Sequence, residues 1–501
     1  MKWIYVCQFS EKIVRCVKKW LEKIDILRKK WLEKVYEFCK TGLKKINVMV
    51  ILNVKNDTEV IIMLKRKIEK QLLEWKKQTD RKPLIVKGCR QSGKTFSVLD
   101  FAKKNYKNVV YLNFFENPNY ASVFSGSLDI DNIIMLLSAL LGKEATFVAG
   151  QTILILDEIQ DCPEARTALK FFRIDGRYDV IGAGSLLGVK GYGKDPKSIP
   201  VGSETVINMY PLDFEEFLWA NGISEEVIDN LQKSLNDETP VPEALHNRMK
   251  QLLLQYAVVG GMPEVVQTFV NTKQMDEVIR IQRDIVRSYE DDMVKYAERN
   301  DKSRIKECFQ SIPRQLSKEN KKFQYSVVRK GSTSGKYIGC IQWIEDAGII
   351  ARCYNLSITE LPLDGNAQQD TFKVYMCDTG LFVGMLEDGT QYDILQGNLY
   401  GYKGAIFENL IADVFIKMGR KLYYYHKDSG LEVDFIIRYK GKCTLVEAKA
   451  NNGNIKSTKT ILNHPEKYHV NSAIKLGDYN VGRNGQTLIL PLYMAFLLRE
   501  Q

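Results

Sequence analysis

Gly88-Cys89-Arg90-Gln91-Ser92-Gly93-Lys94-Thr95 decides the reading of this chain. The stretch fits the phosphate-loop pattern G-x-x-x-x-G-K-[ST], and its flanks suit it. Leu84-Ile85-Val86 reads as a short buried strand, and residues 96–104 read as a helix. A strand, a tight glycine turn and a helix N-terminus together present backbone N–H groups to a polyphosphate. Gly88 and Gly93 let the chain curl without Cβ clashes. Lys94 would reach the β- and γ-phosphates, and the Thr95 hydroxyl would ligate Mg²⁺. Residues 88–96, from Gly88, Cys89, Arg90, Gln91 and Ser92 through Gly93, Lys94 and Thr95 to Phe96, are therefore the expected ATP cradle.

Thr152-Ile153-Leu154-Ile155-Leu156-Asp157-Glu158 supplies the other half of such a site. An apolar run ending in acids is the pattern of a fully buried parallel strand. Ligands of open α/β sheets sit at the C-terminal strand ends. Asp157 is the expected second Mg²⁺ holder, and Glu158 the residue that orients the attacking water. Tyr178-Asp179-Val180-Ile181-Gly182-Ala183-Gly184-Ser185 reads as another strand. Ser185 at its end is either a sensor of the γ-phosphate or a plain turn serine.

At 501 residues, 45% of them hydrophobic and 27% charged, the chain has the composition of a soluble protein of two to four domains. Ten cysteines are scattered without a C-x-x-C pair. That excludes a zinc ribbon or disulfide framework and fits a reducing cytoplasm. No apolar run approaches a membrane span, so membrane contact is not expected of the main body. The net charge of +11 is concentrated at one end. Residues 1–50 hold 13 Lys and Arg against 5 Asp and Glu. There Lys18-Lys19-Trp20-Leu21-Glu22-Lys23 recurs as Lys29-Lys30-Trp31-Leu32-Glu33-Lys34. A spacing of eleven places Trp20 and Trp31 on one face of a basic amphipathic helix. Such a helix either packs on the body or lies on an acidic partner or membrane surface.

Residues 63–79 read as a helix, Val109-Val110-Tyr111-Leu112-Asn113 as a strand and 131–142 as a helix. Alternation of this kind predicts an α/β domain with a parallel sheet. Pro240 and Pro242 mark a boundary. A charged helical stretch follows to about residue 320. Gln342-Trp343-Ile344-Glu345-Asp346-Ala347-Gly348 ends a helix before the strand Ile349-Ile350-Ala351-Arg352-Cys353-Tyr354. Helices followed by a hairpin suggest a winged helix, a fold that either binds DNA or acts as a structural lid.

Three C-terminal segments carry acids. Gly404-Ala405-Ile406-Phe407-Glu408-Asn409-Leu410 begins a helix, with Glu408 near its start. Leu431-Glu432-Val433-Asp434-Phe435-Ile436-Ile437 reads as one strand. Cys443-Thr444-Leu445-Val446-Glu447-Ala448-Lys449 reads as its hairpin neighbour across Lys440-Gly441-Lys442. Strand periodicity puts Glu447 and Lys449 on one side, with Asp434 beside them. Asp434 and Glu447 would hold Mg²⁺, Glu408 would add a ligand, and Lys449 would orient a water. The four histidines form no metal-ligand spacing.

Taken in order, these stretches, with Tyr210-Pro211-Leu212-Asp213-Phe214-Glu215-Glu216-Phe217 and Gly260-Gly261-Met262-Pro263, resemble the prokaryotic AAA-family P-loop ATPases. Those relatives carry a C-terminal domain of unknown function, of the DUF4143 kind, similar to PD-(D/E)xK nucleases. The resemblance covers about 63–501. It leaves 1–60 outside, as the basic amphipathic helical extension read above, and implies a P-loop AAA ATPase domain with a parallel sheet over 61–235. A helical and winged-helix-like region over 240–365 follows, then a restriction-endonuclease-like α/β domain over 370–501. Carried over by position, Lys94, Thr95, Asp157 and Glu158 look like the ATPase residues and Ser185 like the sensor. Glu408, Asp434, Glu447 and Lys449 look like the nuclease-type set.

The implied cofactors are ATP and Mg²⁺. The implied partners are DNA or RNA, and further copies of the chain in a homo-oligomer. One departure stands out: no arginine lies between Arg177 and Arg248, where AAA machines usually carry a finger that acts on a neighbour's ATP. Two functions follow. Either nucleotide state controls a nuclease-like domain, or the chain is a nucleotide switch whose C-terminal module only binds DNA or protein.

Overall fold

Five parallel strands in the order β2-β3-β4-β1-β5 carry the glycine loop. The computed structural model describes residues 63–185, 202–297, 301–318, 321–398, 403–449 and 456–500. The N-terminal amphipathic helix expected over 1–60 lies outside them. So do Lys190, Lys194 and Lys197, the cations that follow the expected sensor strand. The sheet is built from β1 (Leu84–Gly88), β2 (Asn108–Asn113), β3 (Thr152–Asp157), β4 (Asp179–Ser185) and β5 (Thr205–Met209). Between them run α1 (Ile68–Lys77), α2 (Lys94–Asn105), α3 (Ile130–Leu141) and α4 (Pro163–Asp175).

All six residues of β3 are buried, as a strand covered on both faces requires. Its side chains alternate between two cores. Ile153 and Ile155 join Leu72, Trp75, Val98 and Phe101 of α1 and α2. Leu154 and Leu156 join Ile133, Leu137, Leu169 and Phe172 of α3 and α4. Each such aliphatic side chain contributes about 1.5–3 kcal/mol by leaving water. Gly182 in β4 lets the helical layer close: a Cβ there would lie 2.7 Å from Ile85 Cδ1 and 2.8 Å from Ile159 Cδ1.

A helical region follows: α5 (Phe214–Ala220), α6 (Glu225–Asp237), α7 (Glu243–Val259), α8 (Pro263–Thr272), α9 (Met275–Tyr296), α10 (Lys302–Leu316), α11 (Tyr325–Val328) and α12 (Ser334–Asp346). The hairpin of β6 (Ile350–Leu356) and β7 (Ala367–Met376) comes next, then α13 (Thr379–Gly384) and α14 (Lys403–Lys417). The remainder is β8 (Leu422–His426), β9 (Glu432–Val433), β10 (Phe435–Tyr439), β11 (Lys442–Ala448), α15 (Lys456–Leu462), β12 (Ala473–Gly477), β13 (Gly482–Asn484) and β14 (Thr487–Pro491).

Two findings differ from the sequence reading. β6 pairs with β8 in a four-stranded sheet of order β7-β6-β8-β9, so a sheet crosses the boundary placed at 365–370. One core accordingly runs from Leu212 through the helices to Leu498, and residues 64–501 form one compact unit. The stretch 431–437 is not one strand. It breaks at Asp434, because β9 pairs with β8 while β10 pairs with β11 in the sheet β10-β11-β12-β14-β13. Hydrophobic alternation reads the same through such a break, which only the pairing partners reveal.

The junction between the first sheet and the helices is tight. The Leu212 N–H donates to the Gly261 carbonyl at 2.6 Å, and a methyl on Gly261 would run into the Leu212 carbonyl oxygen. Backbone cannot retreat as a flexible side chain can. Gly261→Ala is expected to lower stability by about 3 kcal/mol. A urea midpoint unchanged from wild type would rule this out.

Candidate functional site

The phosphate loop leaves β1 at Gly88 and enters α2 at Lys94. Two left-handed residues shape it: Gln91 at φ 62° and Gly93 at φ 90°. Ser92 is fully buried, and its hydroxyl donates to the Cys89 carbonyl at 2.9 Å. Lys94 is buried and curls back, donating to the carbonyls of Cys89 (2.8 Å) and Gly88 (3.2 Å). Burial lowers its ammonium below the ordinary lysine range, while Cys89, Glu158 and Asp157 act in the other direction. The Thr95 hydroxyl donates to Asp157 Oδ2 at 2.8 Å, and the Tyr111 hydroxyl donates to the same oxygen at 2.9 Å. Thr95 and Asp157 form a hard-oxygen pair of the kind Mg²⁺ takes.

A cavity of about 390 Å³ opens on this loop. Arg90, Gln91, Gly93, Lys94, Thr95, Phe96, Glu158 and Ser185 line it, whereas Gly88, Cys89, Ser92 and Asp157 do not. Glu158 is left-handed at φ 50° and accepts from Gln160 Nε2 at 2.5 Å. Phe115, Pro263, Glu264 and Asp292 also line the cavity and were not assigned to the site from the sequence. Asp292 on α9 pairs with Arg90, and the Tyr289 hydroxyl donates to the Arg90 carbonyl at 3.0 Å. Their positions some 200 residues downstream carry no local signal.

Arg66 was missed as well. Its buried guanidinium donates to the Ser92 carbonyl (3.0 Å), the Tyr210 carbonyl (2.7 Å) and Glu216 Oε1 (3.2 Å). It thereby ties the phosphate loop to the 210–217 stretch. A sequence signal for that stretch existed. Asp213 and Glu216 form a reciprocal capping box at the start of α5, and D-x-x-E before an apolar run announces one.

The second site lies at the break between β9 and β10. Phe435 faces Val446 in the β10–β11 register, so Asp434 stands opposite Glu447. Lys449 Nζ lies 2.8 Å from Glu447 Oε2 and 3.3 Å from Asp434 Oδ2. Asp434 Oδ2 also accepts the Ala448 N–H at 2.9 Å, and the Thr458 hydroxyl of α15 donates to Glu447 Oε1 at 2.7 Å. The two carboxylates converge on one cation, here the Lys449 ammonium. Burial works against that charge, yet Asp434 and Glu447 hold Lys449 above the ordinary lysine range.

Glu408 is engaged by other partners. Its oxygens are taken by Lys321, by Lys373 Nζ at 3.1 Å and by the Tyr375 hydroxyl at 2.5 Å. Burial raises its carboxyl, but the two lysines outweigh that and hold it at about 2. Lys373 also reaches Glu432 Oε1 at 2.8 Å. The buried Lys373 on β7 needs both carboxylates, and this is what claims Glu408. Among the described residues no group of three or more His, Cys, Asp or Glu side chains is arranged to hold a metal ion.

Burial and the neighbouring Asp434 carboxylate push Glu447 from the usual 4.5 up to about 7. A folded-state value above the unfolded one stabilises fully below about pH 4.5, and that contribution is lost as pH rises through about 7. Relative to Glu447→Gln, which cannot ionise, the wild type should lose melting temperature between about pH 5 and pH 7. Parallel curves for the two proteins would show that Glu447 is not perturbed.

Family models match three parts of the chain. Residues 80–218 match an AAA domain, 250–392 a domain of unknown function (DUF8612) and 403–494 a domain of unknown function (DUF4143). No curated protein matches the chain. Among solved structures, a Walker-type ATPase of Pyrococcus abyssi is 12% identical, over 66% of this chain and 99% of its own, at a TM-score of 0.37. The Aeropyrum pernix ORC1 protein, in complex with DNA, is 14% identical over 67% and 93%, at 0.27. AMPPCP-bound DnaA from Aquifex aeolicus is 12% identical over 56% and 87%, at 0.25. Likeness this remote transfers no ligand or partner. With its parallel sheet and its cavity on the glycine loop, the segment 80–218 is an AAA domain of the P-loop ATPase type, and a DUF4143 domain follows it at 403–494.

Proposed function

We propose that the protein is a Mg²⁺-dependent ATPase whose nucleotide state controls a nuclease-like C-terminal domain directed at DNA or RNA. The observation that carries this reading is the presence, in one compact unit, of two oxygen-donor pairs each backed by a lysine. One is Thr95 with Asp157 beside Lys94, and the other is Asp434 with Glu447 beside Lys449. In the first, the loop N–H groups and Lys94 bind the phosphates. Glu158 orients a water whose oxygen bonds to the γ-phosphorus as the bond to the β-phosphate oxygen breaks. Ser185, on the cavity wall, contacts the γ-phosphate or that water. In the second, Lys449 orients a water that attacks a phosphodiester, and the proton passes to the leaving oxygen. Mg²⁺ held at either pair would stabilise charge on the phosphoryl oxygens. Arg90 is an arginine on the described cavity wall, paired there with Asp292. Arg173 is spent on the Gly202 carbonyl, and Arg287 pairs with Asp284.

The order α10, α11, α12 and then the β6–β7 hairpin supports a winged helix, which would either contact nucleic acid or act as a structural lid. No helix among the described residues is long and apolar enough to cross a membrane. The buried cysteines among the described residues suit a cytoplasmic setting.

The test is cleavage of labelled single- and double-stranded DNA and RNA with Mg²⁺ or Mn²⁺, with and without ATP, for wild type and Glu447→Ala. Cleavage that disappears in the variant is the expected result. A specific observation favours a second reading, a nucleotide switch with a catalytically silent binding module: Glu408, the third acid of the nuclease-type set, is consumed by lysines. Folded, ATP-binding protein that cleaves nothing would establish that reading instead.

A further inference from the structure

The best-buried ion cluster among the described residues belongs to neither site. Lys417, the last residue of α14, has a side chain only 1% exposed. Its ammonium donates to the Leu212 carbonyl (3.2 Å), the Tyr256 hydroxyl (2.9 Å) and Asp378 Oδ2 (3.2 Å), and lies 2.8 Å from Asp413 Oδ1. These partners come from the end of the first sheet, from α7, from the start of α13 and from α14 itself. A lysine so enclosed, with every donor spent on a different segment, fixes those segments relative to one another.

What it fixes leads to the nucleotide cavity. Asp378 Oδ2 also accepts the Gly261 N–H at 2.7 Å. The Gly261 carbonyl in turn accepts the Leu212 N–H at 2.6 Å. Both residues that grip Gly261 are therefore gripped by Lys417. Two residues on, the chain opens α8, whose Pro263 and Glu264 line the nucleotide cavity. Pro263 Cγ lies 3.4 Å from where a Cβ on Gly93 would sit. Nine residues earlier on α14, roughly 14 Å away at 1.5 Å per residue, Glu408 joins Lys373, which also pairs with Glu432.

We infer that Lys417 is a positioning residue of the nucleotide site: through Asp378 and Leu212 it holds the 260–263 turn that delivers Pro263 and Glu264 to the cavity. The DUF4143 domain thereby completes the ATP site of the AAA domain. This rests on the reading of that cavity as an ATP site.

A structural role and a positioning role separate in one double variant. Lys417→Met leaves Asp378 and Asp413 as buried carboxylates without their cation, so it lowers the melting temperature. Adding Asp413→Asn removes one of those charges. Asp378 keeps the Gly261 and Leu381 N–H groups. The double variant is expected to regain most of the melting temperature while its ATP turnover stays down about tenfold and its affinity for a fluorescent ADP analogue stays reduced. Turnover that recovers together with melting temperature would overturn the inference, as would a double variant no more stable than the single one. Wild-type turnover in Lys417→Met itself would also overturn it. If the single variant does not fold, the double is read alone. A wild type that fails to bind the ADP analogue would instead remove the nucleotide-site reading, and the inference with it, before any variant is compared.

Discussion

Lys94→Ala is expected to hydrolyse ATP at least about a hundredfold more slowly than the wild type. The side chain leaves the first residue of α2 and is held by the Gly88 and Cys89 carbonyls, at the mouth where the polyphosphate would enter. Phosphoryl transfer asks the protein for position and positive charge rather than covalent chemistry. A methyl group supplies neither. The fold should survive, because the neighbouring Ser92 and Arg66 bonds keep the loop closed. Glu158→Gln is the companion: it keeps ADP affinity and loses turnover, since it alters the residue facing the water and not the cradle. Phosphate release at saturating ATP measures both. Lys94→Ala turning over at wild-type rate would show that the cavity is not the hydrolytic site.

Asp434→Ala should abolish metal-dependent cleavage of nucleic acid, by about a thousandfold or more, and leave ATP hydrolysis intact. Asp434 sits where one chain segment leaves the sheet of β8 and joins the sheet of β11. The break aims its carboxylate at Glu447 and Lys449 rather than along a flat strand. Removing it leaves Glu447 alone with Lys449, a pair that neutralises itself and holds no second charge for a divalent ion. Equal loss of ATP hydrolysis in Asp434→Ala and Lys94→Ala would argue against two separate sites. Conversely, cleavage retained in Asp434→Ala would assign it to other residues.

Much of the nucleotide site was legible because its signals are local. The glycine loop, its helix and the acid-ended strand 152–158 are contiguous stretches whose residue types are imposed by backbone geometry and burial. The expected helix over 131–142 and strand over 109–113 appear as α3 and β2 within a residue. The second site was half legible. Period-two alternation placed Glu447 and Lys449 on one side, and the structure keeps them 2.8 Å apart. The pairing of Glu408 on α14 with Lys373 on β7 was not legible, because nothing near either residue announces it.

By itself the sequence determined where the glycine turn joins its strand to its helix and which faces of the strands are apolar, since these depend on steric and transfer energies within a few residues. Tertiary structure alone decided the rest. It broke 431–437 at Asp434 by giving its halves different partners. It ran a sheet across the expected boundary at 365–370, and it delivered Arg66, Pro263 and Asp292 to the phosphate loop. It also enclosed Lys417 among four segments. The physical reason is the same in each case. A buried charge or an open strand edge must find a partner, and the energy of that pairing depends on which distant segments can reach it, not on the residues beside it in the chain.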